Sequence, residues 1–255
     1  MRILLCLFFI QLSAVVCAQE QLKSNVNLWQ ASNIVQTDFG SERLLFDGAG
    51  AILSKHELKG ISIKSGKKLL YDSGPGGDEL FFIIKEGPIS VSLNKKVYDL
   101  DTGSVVFLLP GDEVIFENKR KDDISFYEMR MVSMVEPDLE RGREAGPSFV
   151  MDWYDMDYKS HDRGGVRQLF DRPTAMLHRF DIHITSLDPE ISSHPPHTHK
   201  NEEIILMIDG VGEMQLGKGK QKITSGDAAF VTSNIPHNFS NLGSRPAVYF
   251  AIQWN

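Results

Sequence analysis

The stretch His194-Pro-Pro-His197-Thr-His199-Lys-Asn-Glu202-Glu203-Ile204-Ile-Leu-Met-Ile208-Asp-Gly210 decides how the rest of the chain is read. His197 and His199 are two residues apart, so on an extended backbone both imidazoles point to one face. Glu203 follows four residues after His199, and a turn at Lys200-Asn201 brings its carboxylate towards the same point from a neighbouring strand. A fourth ligand must come from elsewhere. The segment Gly226-Asp-Ala-Ala-Phe-Val-Thr-Ser-Asn-Ile-Pro236-His237-Asn-Phe239-Ser-Asn241 supplies it as His237. Three imidazoles and one carboxylate suit a single divalent transition metal, Fe, Mn, Ni, Cu or Zn, and affinity order does not choose among them.

An internal repeat constrains the architecture around this stretch. Trp29, Arg43, Leu45, Phe46 and Asp47 recur as Trp153, Arg167, Leu169, Phe170 and Asp171 at an offset of 124. After a one-residue slip, Gly87, Leu93, Gly103, Phe107, Phe116 and Asn118 recur as Gly210, Leu216, Gly226, Phe230, Phe239 and Asn241 at an offset of 123. Each copy consists of short alternating or β-branched runs, such as 80–85, 89–93, 105–109, 204–208 and 228–231, punctuated by glycine and proline. Such spacing predicts an all-β sandwich or barrel. The polar segment Glu140-Arg-Gly-Arg-Glu-Ala-Gly-Pro147 lies within a linker at 133–147, with a short helix predicted around 138–143. The expected domains are therefore 25–132 and 148–255.

The two histidine-bearing segments resemble the paired motifs of the cupin superfamily. His197, His199, Glu203 and Gly210 match the first motif; Gly226, Pro236, His237 and Asn241 match the second. The second motif departs from the pattern in having Asn234-Ile235 where a glycine is usual. The resemblance implies two tandem cupin barrels, double-stranded β-helices of the jelly-roll type, with metal in the C-terminal one. In the first copy His197, His199, Glu203 and His237 fall on Gly74, Gly76, Leu80 and Val114. All four ligands are missing together, as loss of a metal would produce, and Leu80 and Val114 allow that interior to close as an ordinary core.

The remaining polar residues divide by the same comparison. Glu202 aligns with Glu79 of the ligand-free copy, so it reads as structural; the shared Trp153, Arg167 and Asp171 read as domain-packing residues. His56, His161, His178 and His183 are read as surface or simply hydrogen-bonded histidines, with His183 facing solvent in the alternation Arg179 to Ile184. His194 is placed at the mouth of the site, with Ile205, Met207 and Phe239 as an apolar wall. His194, Gln253 and Tyr249 are candidate acid–base groups, and no catalytic residue is assigned. The sequon at Asn238 sits beside a ligand on an expected barrel strand and is discounted as a glycan site.

Residues 1–18 read as a secretory signal: Arg2, an apolar run and Val16-Cys17-Ala18 before polar Gln19. A lipidated Cys17 is the alternative, disfavoured by the bulk of Val16. Cleavage near Ala18 would remove both cysteines, Cys6 and Cys17, and with them disulfide or thiol chemistry. The expected product is exported, periplasmic or secreted, with no stable membrane span. A net charge of −7 argues against nucleic acid as partner and leaves a small-molecule substrate. Either a monomer or a homodimer fits. The resemblance implies three function classes: isomerase or lyase chemistry on a sugar acid from polysaccharide breakdown, which the short His-to-Glu spacing and the signal favour; oxygen-dependent cleavage of the quercetin dioxygenase kind; and non-catalytic capture of a carbohydrate or carboxylate.

Overall fold

The computed structural model describes residues 19–74 and 77–255. The signal segment and Gly76 lie outside the described residues. Two seven-stranded antiparallel sheets and two smaller ones make up two jelly-roll barrels. In the C-terminal half the large sheet runs in the order Asn25–Asn27, Ala228–Val231, Glu202–Asp209, Ala247–Trp254, Phe180–Leu187, Gly164–Arg172, Tyr158–His161. Its small sheet holds Gly219–Thr224, Val211–Leu216 and His237–Asn241. In the N-terminal half the large sheet runs Phe149–Met151, Val105–Leu108, Glu79–Ile84, Ile124–Ser133, Leu53–Ile63, Gly40–Gly48, Ile34–Gln36. Its small sheet has four strands, Lys68–Asp72, Glu113–Glu117, Ile89–Leu93 and Lys96–Leu100. No helix among the described residues is long and apolar enough to cross a membrane.

The central strands are continuous apolar runs because they are buried on both faces. On Glu79–Ile84, Phe81 and Ile83 face a core shared by both halves, whereas Leu80, Phe82 and Ile84 fill the first barrel. On Glu202–Asp209, Ile204 and Leu206 enter the shared core, and Ile205 and Met207 face the second barrel. The shared core is rich in aromatic contacts, with Phe81, Phe107, Phe170 and Phe180 at centroid separations of 5.5–6.5 Å. His56 is fully buried there, edge-on to Trp254 at 4.6 Å, with neither ring nitrogen hydrogen-bonded. Burial lowers its ionisation to about 3, so it is a neutral core side chain and not the surface group its sequence position suggested.

Each half lends its first strand to the other. Asn25–Asn27 pairs with Ala228–Val231, and Phe149–Met151 pairs with Val105–Leu108. The repeated tryptophans follow these strands. Trp29 packs where a Cβ on Gly226 would meet its ring at 3.3 Å, and Trp153 occupies the equivalent place over Gly103. Their backbone amides are held by Asp227 Oδ1 at 2.8 Å and Ser104 Oγ at 2.9 Å. Arg43 and Arg167 lie over the two indoles at 5.2 and 4.2 Å. Asp171 differs from the packing role expected of it, since it forms a two-pronged surface ion pair with Arg179 at 2.8 and 2.9 Å.

The repeated glutamates clamp the halves together. Glu202 accepts the amide of Ala51 at 3.0 Å, and Glu79 accepts the amide of Ala175 at 3.0 Å and the hydroxyl of Thr174 at 2.6 Å. The predicted linker helix spans Leu139–Ala145, capped by Asp138, and Arg141 holds the carbonyls of Thr174 and Ala175 beside Glu79. Inside the first barrel Phe116 stacks on Phe126, and Phe82 and Tyr71 pack tilted or edge-on against them in one apolar cluster with Leu80 and Val114. Its upper layer is ionic, which the expectation of an ordinary core did not include. Glu128 receives Tyr71 Oη at 2.9 Å and Arg130 at 3.0 Å, and Lys59 meets Glu57 at 3.2 Å.

Two outcomes follow from this packing. Trp29→Ala should cost about 3–5 kcal/mol and lower the midpoint of a single thermal transition, because the shared core makes the halves unfold together. Burial raises the Glu79 carboxyl to about 7, against opposing bonds from Thr174 and Ala175. Its stabilising contribution is therefore complete below the ordinary value of 4.5 and lost as pH rises through about 7. Denaturant titrations of wild type and Glu79→Gln between pH 4 and 8 should show the wild type losing stability relative to the variant across that window.

Candidate metal centre and cavity

In the first barrel Lys68–Asp72 pairs along Glu113–Glu117 without interruption. The equivalent segment of the second barrel touches His237–Asn241 only through the bridges Ser192↔Ser240 and His197↔His237. Four residues, Ser193-His194-Pro195-Pro196, then oppose two, and the prolines have no N–H for a ladder. The strand bulges and the barrel mouth stays open. His197 and His237 exchange backbone hydrogen bonds of 3.2 and 3.0 Å, which sets their rings 4.7 Å apart. The chain then turns so that the carbonyl of His199 accepts Asn234 N at 2.8 Å. Asn234 has φ 61°, a left-handed conformation that asparagine tolerates, so it takes the place of the glycine usual in this turn.

The structure brings the four sequence-selected residues together. One ring nitrogen from each of His197, His199 and His237 lies within 4.8 Å of the others, a group that could hold a metal ion. Glu203 Oε2 lies 3.0 Å from His237 Nε2 and 3.5 Å from His199 Nε2. The Nδ1 atoms of His199 and His237 face the carbonyls of Asn201 and Ile235 at 2.8 and 2.7 Å. A carbonyl only accepts, so both Nδ1 atoms carry the proton and each neutral ring aims an Nε2 lone pair into the site. Both Nε2 atoms are buried without a hydrogen-bond partner. Lone pairs facing a carboxylate oxygen repel unless a cation lies among them, so the donor set fits a metal. Gln253 Nε2 donates to Glu203 Oε1 at 3.1 Å and fixes the other oxygen towards the imidazoles.

The charges reflect this crowding. With no cation in the site, burial would raise the Glu203 carboxyl, but protons shared with the His199 and His237 rings would take it down to about 2, the alternative to a metal for relieving the repulsion. Burial and then the neighbouring imidazoles of His194, His237 and His199 lower His197, while the bond to Glu203 raises His199.

A cavity of about 290 Å³ extends from the cluster. It exists because small or shorter side chains replace the plug of the first barrel. Ala251 stands where that barrel has Glu128, and Ile205 where it has Phe82. Ile205 and Phe239 line it as expected, and His194 stands half-buried at its mouth, its ring 4.1 Å from that of His197. Met207 does not line it: two residues further along the same strand it is fully buried in the core beneath. His183 does line it, contrary to the solvent-facing position expected. The alternation along Phe180–Leu187 is real, but Phe180, Ile182 and Ile184 fill the shared core, so the polar face looks into the barrel.

Arg163, His161 and Thr185 also line the cavity and were missed from sequence. The repeat carried the signal, since Arg163 falls on Phe39 and His183 on Lys59 at the offset of 124. Of the three candidate acid–base groups all line the cavity, but Gln253 is engaged with Glu203. Burial pushes the Tyr249 hydroxyl up to about 12 against bonds with Thr185 and Ser193. Asn238 is 8% exposed and lines the cavity. A second groove of about 540 Å³, walled by Ile191, Pro195 and Pro196, continues outward past Arg163 and His194.

Two jelly-roll barrels, one of which turns three imidazoles inward at its mouth, define the cupin class of fold. Residues 183–253, within the second barrel, match the family model described as Cupin domain. No curated protein matches the sequence. Among solved structures, protein Ylba from E. coli aligns with 17% identity over 88% of this chain and 87% of its own, at a TM-score of 0.67. AerE from Microcystis aeruginosa aligns with 11% identity over 88% and 97%, at 0.64. Lactobacillus farciminis oxalate decarboxylase, in a formate complex, aligns with 11% identity over 92% and 87%, at 0.66. At these identities the likeness establishes the fold.

Protein purified without affinity metals should contain close to one equivalent of a transition metal by elemental analysis, and His197→Ala/His199→Ala should contain none. Gln253→Ala, which frees the Glu203 carboxylate, should keep the site but weaken metal affinity by roughly 10- to 100-fold in a chelator competition.

Proposed function

We propose that this chain is an exported metal-dependent enzyme acting on a small polar organic substrate, with isomerase- or lyase-type chemistry on a sugar acid. The observation that carries the reading is the convergence of three imidazole nitrogens and Glu203 at one end of a cavity lined by further titratable groups. A volume of about 290 Å³ lies at the small end of ligand pockets and suits a monosaccharide-sized molecule.

His197, His199, His237 and Glu203 would hold the ion, which when bound would polarise a substrate oxygen as a Lewis acid. The chain's own residues account for the rest. The His183 imidazole makes no hydrogen bond among the described residues, and burial, opposed by Asp181 and Glu203, lowers its ionisation. It is neutral near pH 7 and free to take a proton from the carbon beside a substrate carbonyl. Returning that proton to the former carbonyl carbon, while the proton of the neighbouring hydroxyl passes to the former carbonyl oxygen, completes an isomerisation that consumes no oxidant or co-reactant. Tyr249 remains protonated and donates a hydrogen bond from the cavity wall. Ile205, Phe239 and Ala251 exclude water from the floor.

Metal-loaded protein in deuterium oxide should exchange a carbon-bound proton of a hexuronate, followed by NMR. His183→Gln should slow that exchange by about 10²- to 10⁴-fold with metal content unchanged. Oxygen uptake with a flavonol and no exchange with any uronate would replace this reading by the dioxygenase one.

A further inference from the structure

We infer that Arg163 is a specificity-determining residue that binds the carboxylate of the substrate at the cavity mouth. The inference rests on the cavity being the substrate site and adds the group that selects an anion.

Arg163 occupies the turn between Tyr158–His161 and Gly164–Arg172, and it lines both the cavity and the outer groove. Its Nη1 donates to the carbonyls of Ser192 and Ser193 at 2.8 and 3.2 Å, which fixes the guanidinium plane. Those bonds use one nitrogen. Nε and Nη2 have no hydrogen-bond or ion-pair partner among the described residues. The adjacent Asp162 carboxylate is directed to His161, at 4.0 Å. A held guanidinium with free donors and no ion pair to an acid among the described residues matches a carboxylate.

The surroundings point the same way. Although the chain carries a net charge of −7, Glu203 is the one carboxylate among the described residues of the cavity wall. It shares that wall with Arg163 and the imidazoles of His161, His183, His194, His197 and His237. Arg163 offsets Glu203 there, so a divalent ion held by the cluster would leave the cavity cationic within an acidic protein, which concentrates anions and disfavours neutral molecules of the same shape. The first barrel supplies a contrast, because the residue at the position of Arg163 is Phe39, which packs against the apolar filling of a closed barrel. The guanidinium therefore accompanies the hollow barrel and not the shared frame.

Isothermal titration calorimetry on the metal-loaded full chain tests this with glucuronate and galacturonate beside glucose and galactose. Wild type should bind at least one uronate at least about tenfold more tightly than its neutral counterpart. Arg163→Ala should lose that preference, and Arg163→Lys, which keeps charge without the planar fork, should retain part of it. Metal content and thermal midpoint should be unchanged in both variants. The inference is overturned if Arg163→Ala keeps the preference, or if wild type does not discriminate, including by binding none of the four sugars. It is also overturned if Arg163→Ala loses metal or melts early, since Arg163 is then a pin for the 191–194 loop. Metal analysis of the same samples separates the two readings: a metal-free wild type that still shows an Arg163-dependent preference removes the metalloenzyme and leaves the carboxylate site.

Discussion

The apolar layer between the two large sheets is the constraint on which the rest of the molecule depends. It takes Phe81, Phe107, Phe170, Phe180, Phe230 and Trp254 out of water from both halves at once. Aromatic side chains of this size dominate the energetics of a core. Because this layer lies outside both barrels, neither barrel needs a full interior to remain folded. The first is nevertheless filled, by Phe82, Phe116 and Phe126 below and the Glu128–Arg130 ion network above. The second is hollow where Ala251 and Ile205 leave room, and the imidazoles turn into that space.

A duplicated frame has thus been put to two uses. Strand order, the crossing first strands, the tryptophan over the partner's glycine and the glutamate clamp are common to both halves. Asn118 and Asn241 repeat the same turn, each binding carbonyls on either side of it. The differences gather at one end of each barrel. There a regular strand becomes a bulge with two prolines, and apolar or paired side chains become unpaired imidazoles and a guanidinium.

Sequence was a good guide wherever function rests on local spacing or on a difference between the copies. The His-x-His pair, the following glutamate and the distant His237 were legible because a two-residue period fixes direction and the repeat provides a reference. His183 was misplaced for a physical reason: alternation divides a strand into two faces without saying which meets bulk water, and here the polar one lines the cavity. Asp171 was misjudged because a repeated residue can serve the surface as well as the interface. The exchange of Asn25–Asn27 and Phe149–Met151 between halves was not legible at all. Short strands of three residues carry no period, and which sheet edge they join is decided by packing.

That exchange bears on the order in which the molecule can be made. Asn25 pairs with Phe230 across almost the entire chain. As a ribosome builds the protein from its N-terminus, the first strand has no edge to join until the last barrel is nearly complete. The sheet edge Val105–Leu108 likewise waits for Phe149–Met151. Pairings of such long sequence separation form slowly and leave strand edges exposed meanwhile. The nascent first half is thus a template for unwanted β-pairing, so assembly of this protein depends on keeping that edge apart from other chains until the second half arrives.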